Sequence, residues 1–252
     1  PAVITRYGLM DLCGFPKDSY YYYQAEWTEA PVLHLFPHWN LECETGANID
    51  LWCYTNCAEV ELWLNDASQG RLKRAPYRKL QWDVPYAQGK LEAVGYDSSG
   101  EEIVRTVVET TGPAAKLQIT KAHSNIEADG SIVAILNVCA CDTAGRFVPT
   151  ANDMLDFKID GGATLLGVGN GDPTSHEPEQ ASHRQLFNGC AQLIVRIHGQ
   201  SEAVSIYAHA DKLESASHRI EVLKAISITQ TIGASAVQST DIKKLNPIDG
   251  SL

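Results

Sequence analysis

The sequence predicts an all-β chain of two consecutive immunoglobulin-like antiparallel β-sandwiches, preceded by one short helix. Three observations carry that prediction. Apolar and polar residues alternate with period two through most of the chain, turn-forming clusters of Gly, Pro, Asn, Asp and Ser separate the runs, and the pattern restarts after Thr110-Thr111-Gly112-Pro113. With 252 residues, 44% hydrophobic and 20% charged, the chain has the length of one large domain or of two of about 100 residues each.

The helix comes first. Residues 18–27, Asp-Ser-Tyr-Tyr-Tyr-Tyr-Gln-Ala-Glu-Trp, offer Asp18 as an N-cap and contain neither Gly nor Pro. Four successive tyrosines would surround that helix with rings, and a short helix that is aromatic all round needs a large partner. After Pro31 the period changes to two. Ile49, Leu51 and Cys53 alternate with Asp50, Trp52 and Tyr54, then Val60, Leu62 and Leu64 alternate with Glu61 and Trp63. Turns are expected at 65–70, 85–89 and 97–100, followed by a strand from Ile103 to Val108. Gly112-Pro113 stops both strand and helix and marks the expected domain boundary.

The second series starts at Leu117 and Ile119 and continues through Ile132–Val138, Leu155–Ile159, Leu165–Val168, Gln192–Ile197 and Val204–Ala208. Its turns are expected at Asp129-Gly130, at Asp160-Gly161-Gly162 and at Asn188-Gly189. Neither series has the Cys, Trp, Cys arrangement of antibody domains, so the likeness is to an architecture. From Ser227 the chain turns rich in Ser, Thr, Gln and Ala, as a linker or the start of a further module would be. The expected division is therefore 1–30, 31–112, 113–225 and 226–252.

Composition removes several function classes. Twenty Lys and Arg against thirty-one Asp and Glu give a net charge of -11, which repels nucleic acid and anionic membrane surfaces. The basic cluster Arg71, Lys73, Arg74, Arg78 and Lys79 reads as a charged strand edge that resists aggregation. No apolar run approaches the roughly 20 residues of a membrane-spanning helix. The seven cysteines lack C-x-x-C spacing and histidine partners at zinc-site intervals, so no metal site is expected, and Cys139 and Cys141 should share one side of a strand as small buried hydrophobes. The opening Pro1-Ala2-Val3 has no methionine and no signal-type stretch, so an upstream continuation is expected and localisation is not legible from these residues.

Three stretches carry a resemblance: Arg6–Asp18 (RYGLMDLCGFPKD); His38-Trp39-Asn40 with Tyr54–Leu62 (YTNCAEVEL); and Gly167–Glu177 (GVGNGDPTSHE). In family order, they resemble the C-terminal half of bacterial glycoside hydrolase family 2 enzymes of the β-galactosidase group. The resemblance implies that residues 1–30 are the closing segment of a catalytic (β/α)₈ TIM barrel, with its last helix at 18–27, and that two accessory β-domains follow. It implies as partner the missing barrel of the same polypeptide, and a bacterial periplasmic or secreted setting.

Glycoside hydrolysis needs two carboxyl groups flanking the bond, about 5–5.5 Å apart in retaining enzymes, and the barrel that holds them takes about 250 residues. The family's catalytic glutamates belong upstream of Arg6, so no catalytic residue is assigned, no cofactor is implied, and this stretch alone is expected to be inactive. G-x-S-x-G, H-E-x-x-H and P-loop motifs are absent. Gly167-Val168-Gly169-Asn170-Gly171 only superficially resembles a dinucleotide loop, because Pro173 stops a following helix and Asp172 repels phosphate. Asn170, Asp172 and Glu177 miss the spacing of an EF-hand. What remains as candidate contact residues is Trp39, flanked by His38 and Asn40, and the loop residues Asn170, Asp172, His176 and Glu177. Ring plus polar groups is sugar-binding chemistry, so an autonomous carbohydrate-binding module is the alternative. The other reading makes Trp39 an internal packing residue and the loop an ordered domain contact stiffened by Pro173.

Overall fold

The computed structural model describes residues 7–126, 132–199 and 201–222. Among them the chain is mostly β, with one helix, α1 (Asp18–Trp27). Asp18 does not cap it. Lys17 occupies the N-cap position without a side-chain bond, and Asp18 is the first helical residue. The Asp18 carboxylate is instead taken by His34, whose Nε2 lies 2.8 Å from Oδ1. An acidic side chain in the first turn still favours the helix's positive end.

One side of α1 packs on β1 (Leu33–Phe36) and β2 (Asn48–Thr55). The Tyr21 ring stacks on His34 at 3.8 Å, Tyr22 meets Tyr54 edge-on, and Glu26 pairs with Arg74 at 2.6 Å. The other side is open. Trp27 is 75% exposed and leans on Tyr23, itself exposed.

Five further strands follow: β3 (Glu59–Leu64), β4 (Ala67–Lys73), β5 (Leu80–Pro85), β6 (Lys90–Tyr96) and β7 (Glu102–Glu109). They form a three-stranded sheet ordered β1-β2-β5 and a four-stranded sheet ordered β4-β3-β6-β7. Period-two alternation is visible in burial: Leu51 and Cys53 from one sheet, and Val60, Leu62 and Leu91 from the other, meet in a common apolar cluster. The segment read as a turn at 65–70 is mostly strand. Only Asn65 and Asp66 turn, both with positive φ, and Leu64 then faces Ala67 across the hairpin. Polar Ser68, Gln69 and Gly70 pass as strand because β4 is an edge, where ladder hydrogen bonds rather than a buried face hold the chain. Arg71 and Lys73 lie on that edge, Arg71 paired with Glu59 at 2.7 Å.

The second strand run comprises β8 (Lys116–Ile126), β9 (Ile132–Cys141), β10 (Met154–Gly161), β11 (Ala163–Gly169), β12 (His183–Gln185), β13 (Cys190–Ile197), β14 (Ala203–Ala210) and β15 (Leu213–Glu221). All eight belong to one hydrogen-bonded order, β11-β13-β9-β8-β15-β14-β10-β12. β8 joins the halves, pairing along β9 and meeting β15 in parallel only at Lys116 and Glu214. Leu136, Leu193 and Val195 from one half share a core with Leu155, Phe157 and Ile206 from the other, so the sheet curls over its own apolar face. Asn188 and Gly189, with φ of 48° and 77°, make the tight turn before β13. The expected turn at Asp129-Gly130 and the tail from Ser227 lie outside the described residues.

The four-stranded sheet ends at Glu109 and the eight-stranded sheet begins at Lys116. The chain between them is held residue by residue. The Thr110 hydroxyl donates to the Trp39 carbonyl at 3.0 Å. Asn40 donates to the Thr111 hydroxyl at 2.6 Å and accepts from the Thr111 N–H at 3.0 Å. The Gly112 N–H donates to Asp142 Oδ2 at 3.1 Å, and the Ala115 N–H donates to the Cys141 carbonyl at 2.8 Å.

Candidate functional site at the Gly167 to Glu177 loop

Trp39 is completely buried in the first cluster. Its indole Nε1 donates to the Ala87 carbonyl at 2.8 Å, and its ring packs on Tyr86 at 5.2 Å. It presents no open face to a pyranose. His38 is exposed beside it, and Asn40 serves the inter-sheet connection.

The loop lies elsewhere, where β11 runs out of the second sheet. Asn170 is buried; its side-chain amide donates to the Gln185 carbonyl at 2.9 Å and its oxygen accepts the Asp172 N–H at 3.0 Å. Asp172 Oδ1 accepts both the Thr174 N–H at 2.8 Å and the Thr174 hydroxyl at 2.7 Å. These are the local side-chain-to-backbone bonds that give a polar loop one shape. Glu177 accepts from the Ser175 hydroxyl at 3.1 Å and from the Gln185 N–H at 3.2 Å. His176 points outward and is exposed.

The residue on which Val168, Ser175, Glu177 and Pro178 converge is Arg184, which sequence reasoning missed. It is 3% exposed. Its guanidinium donates to the Val168 carbonyl at 3.1 Å, the Pro178 carbonyl at 3.0 Å and the Ser175 hydroxyl at 3.3 Å, with Glu177 Oε2 at 3.5 Å. A buried cation is tolerated only when paired and hydrogen-bonded, and the loop wraps its two terminal nitrogens to meet that need, while the buried Nε has no hydrogen-bond partner. No signal marked it in the sequence: Arg184 sits between His183 and Gln185, inside a three-residue strand too short to show periodicity.

Residues 9–17 lie against this loop. Asp11 Oδ1 accepts the N–H groups of Cys13 at 2.8 Å and Phe15 at 3.0 Å, and Gln192 Nε2 donates to the Cys13 carbonyl at 2.9 Å. The glycines have different reasons. Only Gly171 of the three has positive φ, +77°, and a Cβ there would also collide with the Asp11 carboxylate. Gly169 is extended, and its lack of a side chain admits the Cys13 sulfur, 2.7 Å from where a Cβ would stand. Burial, and next the Asp11 carboxylate, push the Cys13 thiol up to about 11, so it is neutral and inert.

Between residues 7–18 and the second sheet is a cleft of about 750 Å³, lined among others by Tyr7, Phe15, Phe147, Asn170 and Phe187. Its rim is apolar and open: Tyr7 is 93% and Leu12 64% exposed. The carboxylates of Asp172 and Glu177 and the amide of Asn170 are engaged inside the loop. The arrangement therefore presents a rigid surface rather than a proton-transfer pair. Among the described residues no group of three or more His, Cys, Asp or Glu side chains could hold a metal ion.

The sequence matches two family descriptions, Glycoside hydrolase family 2 C-terminal domain 5 over residues 117–219 and a domain of unknown function (DUF4982) over residues 46–104. A β-galactosidase of Bacteroides ovatus, BoGH2A, is 36% identical over 223 residues, covering 87% of this chain and 26% of that protein. A β-glucuronidase of Formosa agariphila is 34% identical over 181 residues, covering 69% of this chain and 18% of that protein. The chain thus spans about a quarter of the length of the first of these relatives and less than a fifth of the second. Among solved structures, a glycosyl hydrolase family 2 member from Bacteroides cellulosilyticus superposes with a TM-score of 0.79 at 31% identity, over 86% of this chain and 32% of that one. The Arg6–Asp18 and Gly167–Glu177 stretches, which lie far apart in sequence, meet in space through Asp11, Cys13, Gly169 and Gly171, and with these matches on both strand runs the chain belongs to glycoside hydrolase family 2.

Proposed function

We propose that this chain comprises non-catalytic accessory domains of a β-galactosidase-like family 2 enzyme, supporting a catalytic barrel and the approach to its substrate cleft. In this reading residues 31–112 and 113–225 are two immunoglobulin-like β-sandwiches, and residues 1–30 close the barrel. The observation that carries it is the asymmetry of the N-terminal stretch. Its inner side is fixed to both sheet systems by specific bonds, while Tyr7, Leu12 and Trp27 present an apolar outer side of the kind that marks an interaction surface. The described residues are taken up by strands and one ten-residue helix, whereas a catalytic barrel alone takes about 250 residues.

Hydrolysis of chromogenic β-galactosides and β-glucuronides by this chain tests the reading. No turnover above the buffer rate is expected, and steady turnover that survives repurification would overturn it. Calorimetric titration with galactosides addresses the alternative: heats of dilution only are expected, while a saturable isotherm would favour an autonomous carbohydrate-binding module. The burial of Trp39 takes one ring away from that alternative and leaves it the cleft beside Tyr7 and Phe147.

A further inference from the structure

Cys139 on β9 and Cys190 at the start of β13 are direct partners in the antiparallel register. The hydrogen bonds around them settle which kind of partner. Cys190 exchanges both its N–H and its carbonyl with Phe187 across the tight turn, at 3.1 and 2.9 Å, so neither group points at β9. The next rung is the Ala140 N–H to the Gly189 carbonyl at 3.0 Å. Cys139 and Cys190 therefore form a non-hydrogen-bonded pair, the position in which Cα atoms approach to about 4.5 Å and side chains stand closest. That spacing falls within the range a disulfide spans, about 4.4–6.8 Å between Cα atoms.

Both side chains lie on the sheet face away from the core. Their neighbours two residues along, Asn137 and Gln192, are hydrogen-bonded to each other at 3.0 Å on that face, and Gln192 holds the Cys13 carbonyl above it. Both thiols are free and partly accessible, and Cys190 lines the 750 Å³ cleft together with Asp11 and Asn188. The sequence reading of Cys139 as a small buried hydrophobe does not account for a facing thiol at a cleft wall.

We propose that Cys139 and Cys190 are a redox-responsive pair that closes into a cross-strand disulfide when a small peroxide enters the cleft. The two thiols interact with each other, which holds the Cys139 pKa below the ordinary thiol value and raises that of Cys190. Of the two facing thiols, the one that carries the negative charge reacts first. Its sulfur attacks one peroxide oxygen, the O–O bond breaks, and hydroxide leaves, giving a sulfenic acid. The facing sulfur then attacks that oxidised sulfur. The S–S bond forms, the S–O bond breaks, and water leaves with the second thiol's proton. Two thiols supply two electrons, and the peroxide ends as two waters. The bond ties the turn at Asn188-Gly189 to β9 beneath residues 9–17, enclosing β10, β11, the Gly167–Glu177 loop and β12 in one covalent loop.

The experiment is titration of the full chain with hydrogen peroxide, followed by digestion without reductant, peptide mass mapping and thermal melting. The expected result is one dominant linked peptide pair containing Cys139 and Cys190, lighter by two hydrogens and reversed by dithiothreitol. The oxidised chain should melt about 5 °C or more above the reduced one, as closing a loop of this length implies. The shift should be absent from Cys190→Ala, while the mapping on the unaltered chain stands even if that variant folds poorly. Oxidation of Cys139 to sulfinic acid without a link, linkage of another pair such as Cys53 with Cys57, or a linked chain with an unchanged melting temperature would each overturn the proposal.

Discussion

Trp39 and the Gly167–Glu177 loop carry parts of the same sequence resemblance, yet the molecule uses them in opposite ways. Trp39 is an apolar pin. Its ring is wholly enclosed, and its few polar contacts go to one carbonyl and two hydroxyls. The loop is a polar lattice, its shape set by side chains bonding to backbone around the buried Arg184. Removing the pin takes away volume from a core shared by two sheets. Removing a lattice member strands polar groups locally. The contrast teaches that a recognisable motif can mark packing in one place and surface shape in another, and that burial tells them apart.

The largest effect expected is at the pin. Trp39→Ala should destabilise the chain by about 3–5 kcal/mol, seen as a cooperative loss in a denaturant melt, because the void opens between two sheets that cannot collapse independently. An effect below about 1 kcal/mol would mean that the two sheets do not depend on a common core.

Arg184→Met should cost less, about 2–3 kcal/mol, since Glu177 can partly turn to water while the Val168 and Pro178 carbonyls lose their donor. Here the locality is the sharper readout. Hydrogen exchange should quicken across 168–179 and leave the first strand run unchanged; uniform quickening would erase the distinction between pin and lattice.

The smallest effect expected lies at the connection between the two sheet systems. Burial pushes the Asp142 carboxyl upward, but the Arg146 backbone N–H and guanidinium and the Gly112 N–H outweigh it and hold the pKa at about 2, below the ordinary 3.8. A depressed pKa means that the native state favours the carboxylate. The contribution is therefore fully present above about pH 4 and is lost as the pH falls from 3.8 toward 2. Asp142→Asn should lower the neutral plateau toward the acid value and so flatten that limb of the stability curve; an unaltered limb would remove Asp142 from the connection.

Much of the strand content was legible because one-sided burial writes itself into the sequence. Leu51 with Cys53, Val60 with Leu62 and Leu64, and Leu193 with Val195 alternate in the sequence and are buried as the alternation requires. β4 and β12 were not legible, for a different reason: edge and short strands are held by ladder bonds to a partner, which leave no apolar period. α1 was legible in extent, but its start was misassigned, since whether Asp18 caps or bonds His34 depends on a strand sixteen residues away. The loop's internal bonding followed from Asn170 and Asp172 themselves. Arg184 did not, because a single arginine carries no mark of burial until distant carbonyls converge on it.

The held connection at Thr110 to Ala115 has a mechanical consequence. Thr110 and Thr111 are bonded to the first strand run and Gly112 and Ala115 to the second, so a twist of one sheet system must break the Asn40 or Asp142 bonds before it can turn free of the other. Such a joint transmits torque.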